Sequence, residues 1–307
     1  MAKAQVPDDV RRLIDERRGA RDASDWTRAD ALRDQIAALG WEVQDGPTRS
    51  TARPILRPAE HEELPSLLAH PAEVALSVQI VADEHRTDLE RFLRALATHR
   101  PATPWELVIV ANAPSYDLGP VLTGSDLGLE PVVLATDGRL GWADARTLGL
   151  TRSRGQITVM IDTSLEPTGE IAEPILAAFE DPTVGIAGGW GVTSSDARQF
   201  DDAPPGEVDA IEGYCLAVRR EALRQVGGFD RRFRYYRNAD LDFSFAVRDA
   251  GWRAVRTPPL PFERHEHRGW TSLPDDERDR LSKRNFYRFL DRWGDRPDLL
   301  LQVGAEQ

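Results

Sequence analysis

A single cysteine, Cys215, stands in the whole chain of 307 residues. No intrachain disulfide can form, and no multi-cysteine zinc site can be built. Long apolar runs are missing too: none reaches the ~18 residues of a membrane span. The first residues, MAKAQVPDDVRR, lack the apolar core of a signal peptide. These absences lead to the expectation of a cytoplasmic protein. Positive charge is in deficit, with 39 Lys or Arg against 51 Asp or Glu, a net charge of −12. Such a surface repels phosphate backbones and argues against generic nucleic-acid binding. A bridging metal ion still lets an acidic protein hold an anionic nucleotide. What is present is a core: 41% hydrophobic residues exclude wholesale disorder. The length allows one large α/β domain and a smaller unit.

Residues 8–45 read as a helical hairpin. Val10, Leu13 and Ile14 form an apolar stripe, and Asp25 or Ser24 can cap a second helix. There Trp26, Ala29, Leu32, Ile36 and Leu39 recur at helical spacing, with Gly40 as a stop. From Gln44 to Pro71 the chain is polar and carries Pro47, Pro54, Pro58, Pro65 and Pro71, which reads as a linker. The expected division is a hairpin over 1–53, a linker over 54–72 and a second domain over 73–307.

That second domain alternates strands and helices. EVALSVQIVADE, WELVIVAN, PVVLAT and QITVMID read as strands. Thr87 and Glu90 have capping-box spacing before Leu89, Phe92, Leu93 and Leu96. WADARTLGLTRS reads as a helix, YCLAVRREALRQVGGFD as strand, short helix and glycine stop, and residues 275–293 as a closing amphipathic helix. The pattern predicts an α/β fold, a mostly parallel sheet with helices on both faces. Ligands of such sheets bind at the carboxyl ends of the strands.

Asp162 lies at one of those ends, in IDTSLEP. A carboxylate there can hold a divalent cation that neutralises a diphosphate, or it can cap the following turn. In YYRNADLDFSFAVRDAGW, a helix starting near Ala239 puts Asp240 in its first turn, with Asp242 two residues on. Aromatic surroundings can raise a carboxyl toward a working base; plain N-terminal capping is the alternative. His265 and His267, in ERHEHRGW, offer an imidazole ligand or a solvated loop. Trp190 and Trp270 stand beside glycines, where an indole face can stack on a sugar or simply pack.

Taken in order, these pieces resemble the family 2 glycosyltransferases over residues 74–293. LSVQIVADEHRTDLERFLRAL matches the opening strand and helix, and WELVIVANAPSYD the second strand. GRLGWADARTLGLTRSRGQITVMIDTS matches the Gly-x-x-x-x-Arg-Asn-x-Gly segment leading into an Asp-x-Asp strand. IEGYCLAVRREALRQVGGFDRRF matches the acceptor-side stretch through Gly213, Arg220, Gly227, Gly228, Phe229 and Asp230. NADLDFSFAVRDAGW matches Glu-Asp-x-Asp-Leu, and FERHEH falls where the family often has a metal-binding histidine.

The resemblance implies a GT-A (nucleotide-diphospho-sugar transferase, Rossmann-like) fold. It also implies inverting transfer from a nucleotide sugar to a hydroxyl of a glycan, lipid-linked or small-molecule acceptor, with Mn or Mg. On that alignment Asp240 is the catalytic base, Asp162 and His265 bind metal, and Ala82, Asn112, Arg146, Asp162 and Ser164 meet the donor. Trp190, Gly213, Asp242 and Trp270 stand on the acceptor side, Asp242 as the second, structural acid. The chain departs from the pattern at Ala111 (an acid), Thr147 (Asn), Ser164 (Asp) and Ala239 (Glu). Those departures keep open a non-catalytic relative that binds sugar nucleotides or glycans.

The N-terminal stretch LIDERRGARDASDWTRADALRDQIAALG resembles the C-terminal helical tail of cysteinyl-tRNA synthetases. Residues 1–53 hold ten Lys or Arg and ten Asp or Glu, so no electrostatic footprint for RNA is present. A reused hairpin for docking or homodimerisation is expected rather than tRNA binding; an RNA-associated adaptor is the rival reading.

Overall fold

The computed structural model describes residues 6–23, 25–39, 41–45, 50–54 and 65–301. It divides into two units, Met1–Glu63 and Leu64–Gln307.

In the first unit the apolar stripes close on each other. Helices α1 (Asp8–Asp22) and α2 (Trp26–Ala38) bury Val10, Leu13, Ile14 and Ala20 against Ala29, Leu32 and Ile36. The Asp25 carboxylate accepts the Arg28 N–H at 3.1 Å, a side-chain cap of the kind expected. Ser24 and Gly40 lie outside the described residues. Helix α2 ends at Ala38, just before the expected stop, but the last residues of the expected helical hairpin form a strand. Trp41–Asp45 (β1) pairs antiparallel with Ser50–Pro54 (β2). Trp41 and Val43 stand two apart, and both pack on the helical core, which is strand periodicity. So β2 occupies the start of the expected linker; Pro47 and residues 55–64, Pro58 among them, lie outside the described residues.

In the second unit, residues 65–72, also assigned to the linker, are laid on the domain. The Leu67 N–H donates to Thr151 O at 2.8 Å, and the Arg220 guanidinium donates to the carbonyls of Leu67 and His70. Then β3 (Val74–Ala82), α3 (Arg86–Thr98), β4 (Trp105–Ala111), α4 (Gly119–Thr123), β5 (Val132–Ala135), α5 (Trp142–Arg152) and β6 (Gly155–Ile161) follow. The strands pair in parallel in the order β6-β3-β4-β5. After β7 (Leu165–Pro167) and α6 (Ala172–Ala178) come β8 (Val184–Gly188), β9 (Gly191–Thr193), β10 (Asp201–Asp202), β11 (Gly206–Glu207) and β12 (Ala210–Ile211). Next are β13 (Cys215–Arg219), α7 (Arg220–Val226), α8 (Ala239–Asp249), β14 (Arg253–Arg256), β15 (Phe262–Arg264), α9 (Arg268–Thr271) and α10 (Asp275–Trp293). The main sheet has eight strands in the order β11-β14-β8-β13-β6-β3-β4-β5, with β13 inserted antiparallel between β6 and β8.

Alternation along β3 builds both faces. Leu76, Val78 and Ile80 pack against Leu89, Phe92, Leu93 and Leu96 of α3. Each of these large side chains contributes about 1.5–3 kcal/mol by leaving water. Ser77 and Gln79 point to the opposite face, where α5 crosses so closely that a Cβ at Gly149 would sit 2.5 Å from Gln79 Cγ. The capping box expected at α3 is absent: no side chain caps that helix, and Glu90 instead pairs with Arg86 one turn back at 2.6 Å. The glycine stop after α7 is present, with Gly227 at φ +81°. Finally α10 covers α8, with Phe289 and Trp293 packed on Phe245 and Leu241. Among the described residues no helix is long and apolar enough to cross a membrane.

Candidate active site

The polar side of β3 begins the site. Gln79 Oε1 accepts from Arg146 Nη1 at 3.1 Å, and the same nitrogen donates to Ile161 O at 3.2 Å. Arg146, buried in α5, thereby stands 3.7 Å from the carboxylate of Asp162, just past the end of β6. Asp162 Oδ1 accepts the Ser164 N–H at 2.9 Å, which turns the chain sharply. On the other side His267 Nε2 stands 3.6 Å from Asp162 Oδ2. Burial pushes the Asp162 carboxyl up, but His267, Arg146 and Ser164 outweigh it and hold the group well below the usual carboxylate range.

Two cavities meet here. The smaller, about 260 Å³, is lined by Val81, Asp83, Asn112, Arg139, Arg146 and Tyr235, among others. The larger, about 450 Å³, is lined by Glu212, Gly213, Tyr214, Arg237, Asp240 and Phe286, among others. Trp142, Asp162 and Tyr236 line both.

Asp240 reaches the larger cavity from the first turn of α8. Its Oδ2 accepts the Gly213 N–H at 2.8 Å and its Oδ1 the Leu241 N–H at 3.0 Å. Burial raises this carboxyl above its ordinary value, against the pull of those two amides and of Arg237. Glu212 beside it is raised as well, by burial first and then by the charges of Asp240 and Asp202. The turn into α8 is strained: Asn238 takes φ +63°, a left-handed conformation that asparagine tolerates better than most side chains. Two hydrogen bonds hold that segment from behind. The fully buried Asn285 of α10 donates through Nδ2 to Tyr235 O at 2.7 Å and to Arg237 O at 2.9 Å.

Several residues stand elsewhere than the sequence pattern placed them. Asp242 does not face the acceptor side. It is buried, and its carboxylate accepts from Trp293 Nε1 at 2.8 Å and Arg292 Nη1 at 3.0 Å, which ties α8 to α10. Its structural role is the one the geometry keeps. The Ala82 side chain lies in the core; its neighbours Val81 and Asp83 line the smaller cavity, because alternate strand residues face opposite ways. His265 Nε2 is bonded to Glu166 Oε2 at 2.7 Å, so His267 takes the place beside Asp162 expected of His265. Glu166, Glu263 and His265 cluster on the β7–β15 ribbon with their ligand atoms within 4.8 Å of one another.

Asn112 lines the cavity but spends its amide on the loop opposite, exchanging hydrogen bonds with Leu140 N and O. Trp190 backs the wall, with its ring 5.9 Å from Tyr214. Trp270 lies between Arg237 and Arg278, 5.5 and 4.3 Å from its ring centre. Thr147, where the family has Asn, accepts the Phe229 N–H at 3.0 Å and so holds the Gly-Gly-Phe-Asp turn against α5. Sequence reasoning passed over Asp83, Glu212, Tyr236 and Arg237. Tyr236 and Arg237 lie inside the YYRN run that precedes Asp240, and their neighbourhood was the available signal.

A divalent cation fits the Asp162–His267 pair. A hard carboxylate oxygen and an imidazole nitrogen 3.6 Å apart can share one ion, with its other positions left to phosphate oxygens and water.

A family model described as "Glycosyl transferase family 2" matches residues 77–241, and one described as "Cysteinyl-tRNA ligase anticodon binding domain" matches residues 3–53. The chain is 27% identical over 165 residues to the pre-mycofactocin glycosyltransferase of Mycobacterium tuberculosis, covering 48% of this chain and 33% of that one. It is 48% identical over 44 residues to the cysteine–tRNA ligase of Chlamydia caviae, covering 14% of this chain and 9% of the ligase. The chain thus spans a third or less of the length of these curated relatives. Among solved structures, GalNAc-T7 with UDP, GalNAc and Mn2+ superposes with a TM-score of 0.60 at 17% identity, over 73% of this chain and 50% of that chain. The fold is GT-A.

Proposed function

The chain belongs to glycosyl transferase family 2, and on that premise we propose that it moves a sugar from a nucleotide-sugar donor to an acceptor hydroxyl, in one inverting displacement. The observation that carries this reading is the junction of the two cavities at Asp162 and Tyr236. The smaller cavity, with Arg146, Asn112 and Asp83, takes the donor; the larger, with Asp240, takes the acceptor.

Asp240 is held by two amides and kept basic by burial. It accepts the proton of the acceptor hydroxyl as that oxygen attacks the anomeric carbon. The bond from that carbon to the donor diphosphate breaks on the opposite face, and the charge leaves with the diphosphate. A cation held by Asp162 and His267 would supply neutralisation of that charge. Arg146 sets the orientation of the Asp162 carboxylate and adds fixed positive charge beside the same place. Tyr236 packs against His267 with ring centres 4.6 Å apart and the rings tilted by 48°, which restricts the imidazole.

The test is a thermal-shift panel of nucleotide sugars, with and without Mn²⁺, on wild type and Asp162→Ala. The reading expects one donor to raise the melting point only with metal, and the variant to lose that rise. Donor binding without turnover would favour a non-catalytic relative, the role that Ser164 and Ala239 keep open. If no donor binds under any metal, the transferase reading fails.

The first unit, with its own core, serves in this reading as a docking or dimerisation module appended to the transferase domain. Sedimentation of the full chain and of a chain lacking residues 1–53 tests it: an unchanged association state rules out dimerisation through the hairpin.

A further inference from the structure

The chain has 39 Lys or Arg residues, yet only Lys3 and Lys283 are lysines. Lys283 lines the larger cavity from α10, on the same side of that helix as Ser282 and Phe286. Arg237 lines it from the segment before Asp240. Neither side chain has a hydrogen-bond or ion-pair partner among the described residues, although the charge of Arg237 is felt by Asp240 and Glu212.

Arg237 is nevertheless held in place. Its backbone carbonyl is bound by buried Asn285, and its guanidinium stacks on Trp270. Stacking occupies the face of the plane and leaves the N–H edge open. A fork fixed in this way loses little freedom when it binds an anion, and it matches the geometry of a carboxylate or phosphate. Phe200, Phe286 and Leu241 complete the wall with apolar surface. The acids Asp162, Asp202, Glu212 and Asp240 share the cavity with Arg198, so an anionic group is favoured only at the cationic rim that Arg237 and Lys283 form.

Resting on the transferase reading, we infer that the acceptor carries an anionic group, a phosphate or a carboxylate, which Arg237 and Lys283 bind while its hydroxyl is presented to Asp240. Trp270 is a positioning residue that acts through Arg237.

The scarcity of lysine supplies the experiment. Reductive ¹³C-methylation keeps the lysine charge. In a Lys3→Arg chain it leaves Lys283 as the one labelled side chain beside the N-terminal amine. Glycerol 3-phosphate, glycerate, glycerol and sodium sulfate at matched ionic strength are titrated in turn, followed by farnesyl phosphate in detergent micelles. The expected result is a saturable shift of the Lys283 resonance with the organic anions, a weaker one with sulfate, which has the same tetrahedral charge, and none with glycerol. Arg237→Gln weakens that binding about tenfold, and Trp270→Ala weakens it less. Saturation by farnesyl phosphate alone assigns the anion to a lipid carrier; saturation by the soluble anions assigns it to a small molecule. An unmoved Lys283 resonance, or an Arg237→Gln chain that binds as well as wild type, overturns the inference. The donor panel run on the same preparation separates the two readings. Donor binding without anion binding sinks this inference alone, whereas anion binding without any donor sinks the transferase reading and the acceptor role with it.

Discussion

Helix α8 has two sides, and its two acids divide them. Asp240 looks into the larger cavity and is held by backbone amides, while Asp242 looks into the packing of α10 and is held by Trp293 and Arg292. Two residues on a helix are about 200° apart, so one cannot face the cavity without the other facing away from it. Burial raises both carboxyls. The environment therefore does not distinguish them by acidity. What differs is access: one carboxylate can meet a hydroxyl, and the other is already spent on the fold.

Substitutions can pull these two sides apart. The largest expected effect is on Asp240→Asn: a loss of kcat of about 10²- to 10⁴-fold with donor binding intact, checked by steady-state kinetics and the donor thermal shift. Asp242→Ala should act on the fold instead. It leaves Trp293 Nε1 and Arg292 without their acceptor, and chemical denaturation should show a destabilisation of about 3 kcal/mol. If Asp242→Ala lowered kcat as far as Asp240→Asn while staying folded, the division of roles would be wrong.

A pH series sharpens the same contrast. The folded Asp240 carboxyl sits above its ordinary value of 3.8, so kcat should fall as pH drops through that raised value. For stability the sign is opposite. The fold favours the neutral form, so the ionised group costs stability above the raised value and nothing below the ordinary one. Asp240→Asn should therefore melt higher than wild type at neutral pH, and the gap should close in acid. The smallest effect belongs to Asn238→Gly. Glycine accepts the positive φ freely, so thermal unfolding should move by less than about 1 kcal/mol, while kcat reports whether the asparagine side chain matters to the turn before Asp240.

The alternation of strands and helices, the closing helix at 275–293 and the position of Asp240 in a first helical turn were all legible in the chain, because each rests on local periodicity. The errors share a different cause. Ala82 and Asp83 differ by one residue of strand parity, which puts the first side chain in the core and the second in the cavity wall. His265 in place of His267 turns on where β15 stops pairing. The His265 N–H still bonds Ser164 O at 2.8 Å, and only beyond it does the chain turn into α9 and bring His267 to Asp162. Arg237 and Lys283 line one cavity from segments some 46 residues apart, which no local pattern records. The strand at 41–45 went unread because Trp41 and Val43 give a period of two over only five residues, too short a pattern to stand out beyond the helix.

Trp142, Asp162 and Tyr236 are walls common to two rooms. A molecule that settles in one room therefore presses on side chains that the other occupant must also use. Free energy is a function of state, so whatever factor a donor imposes on acceptor affinity, the acceptor must impose on the donor in return. If the two rooms hold donor and acceptor as proposed, any coupling between them runs through a partition of three side chains, and measuring it from either direction yields the same number.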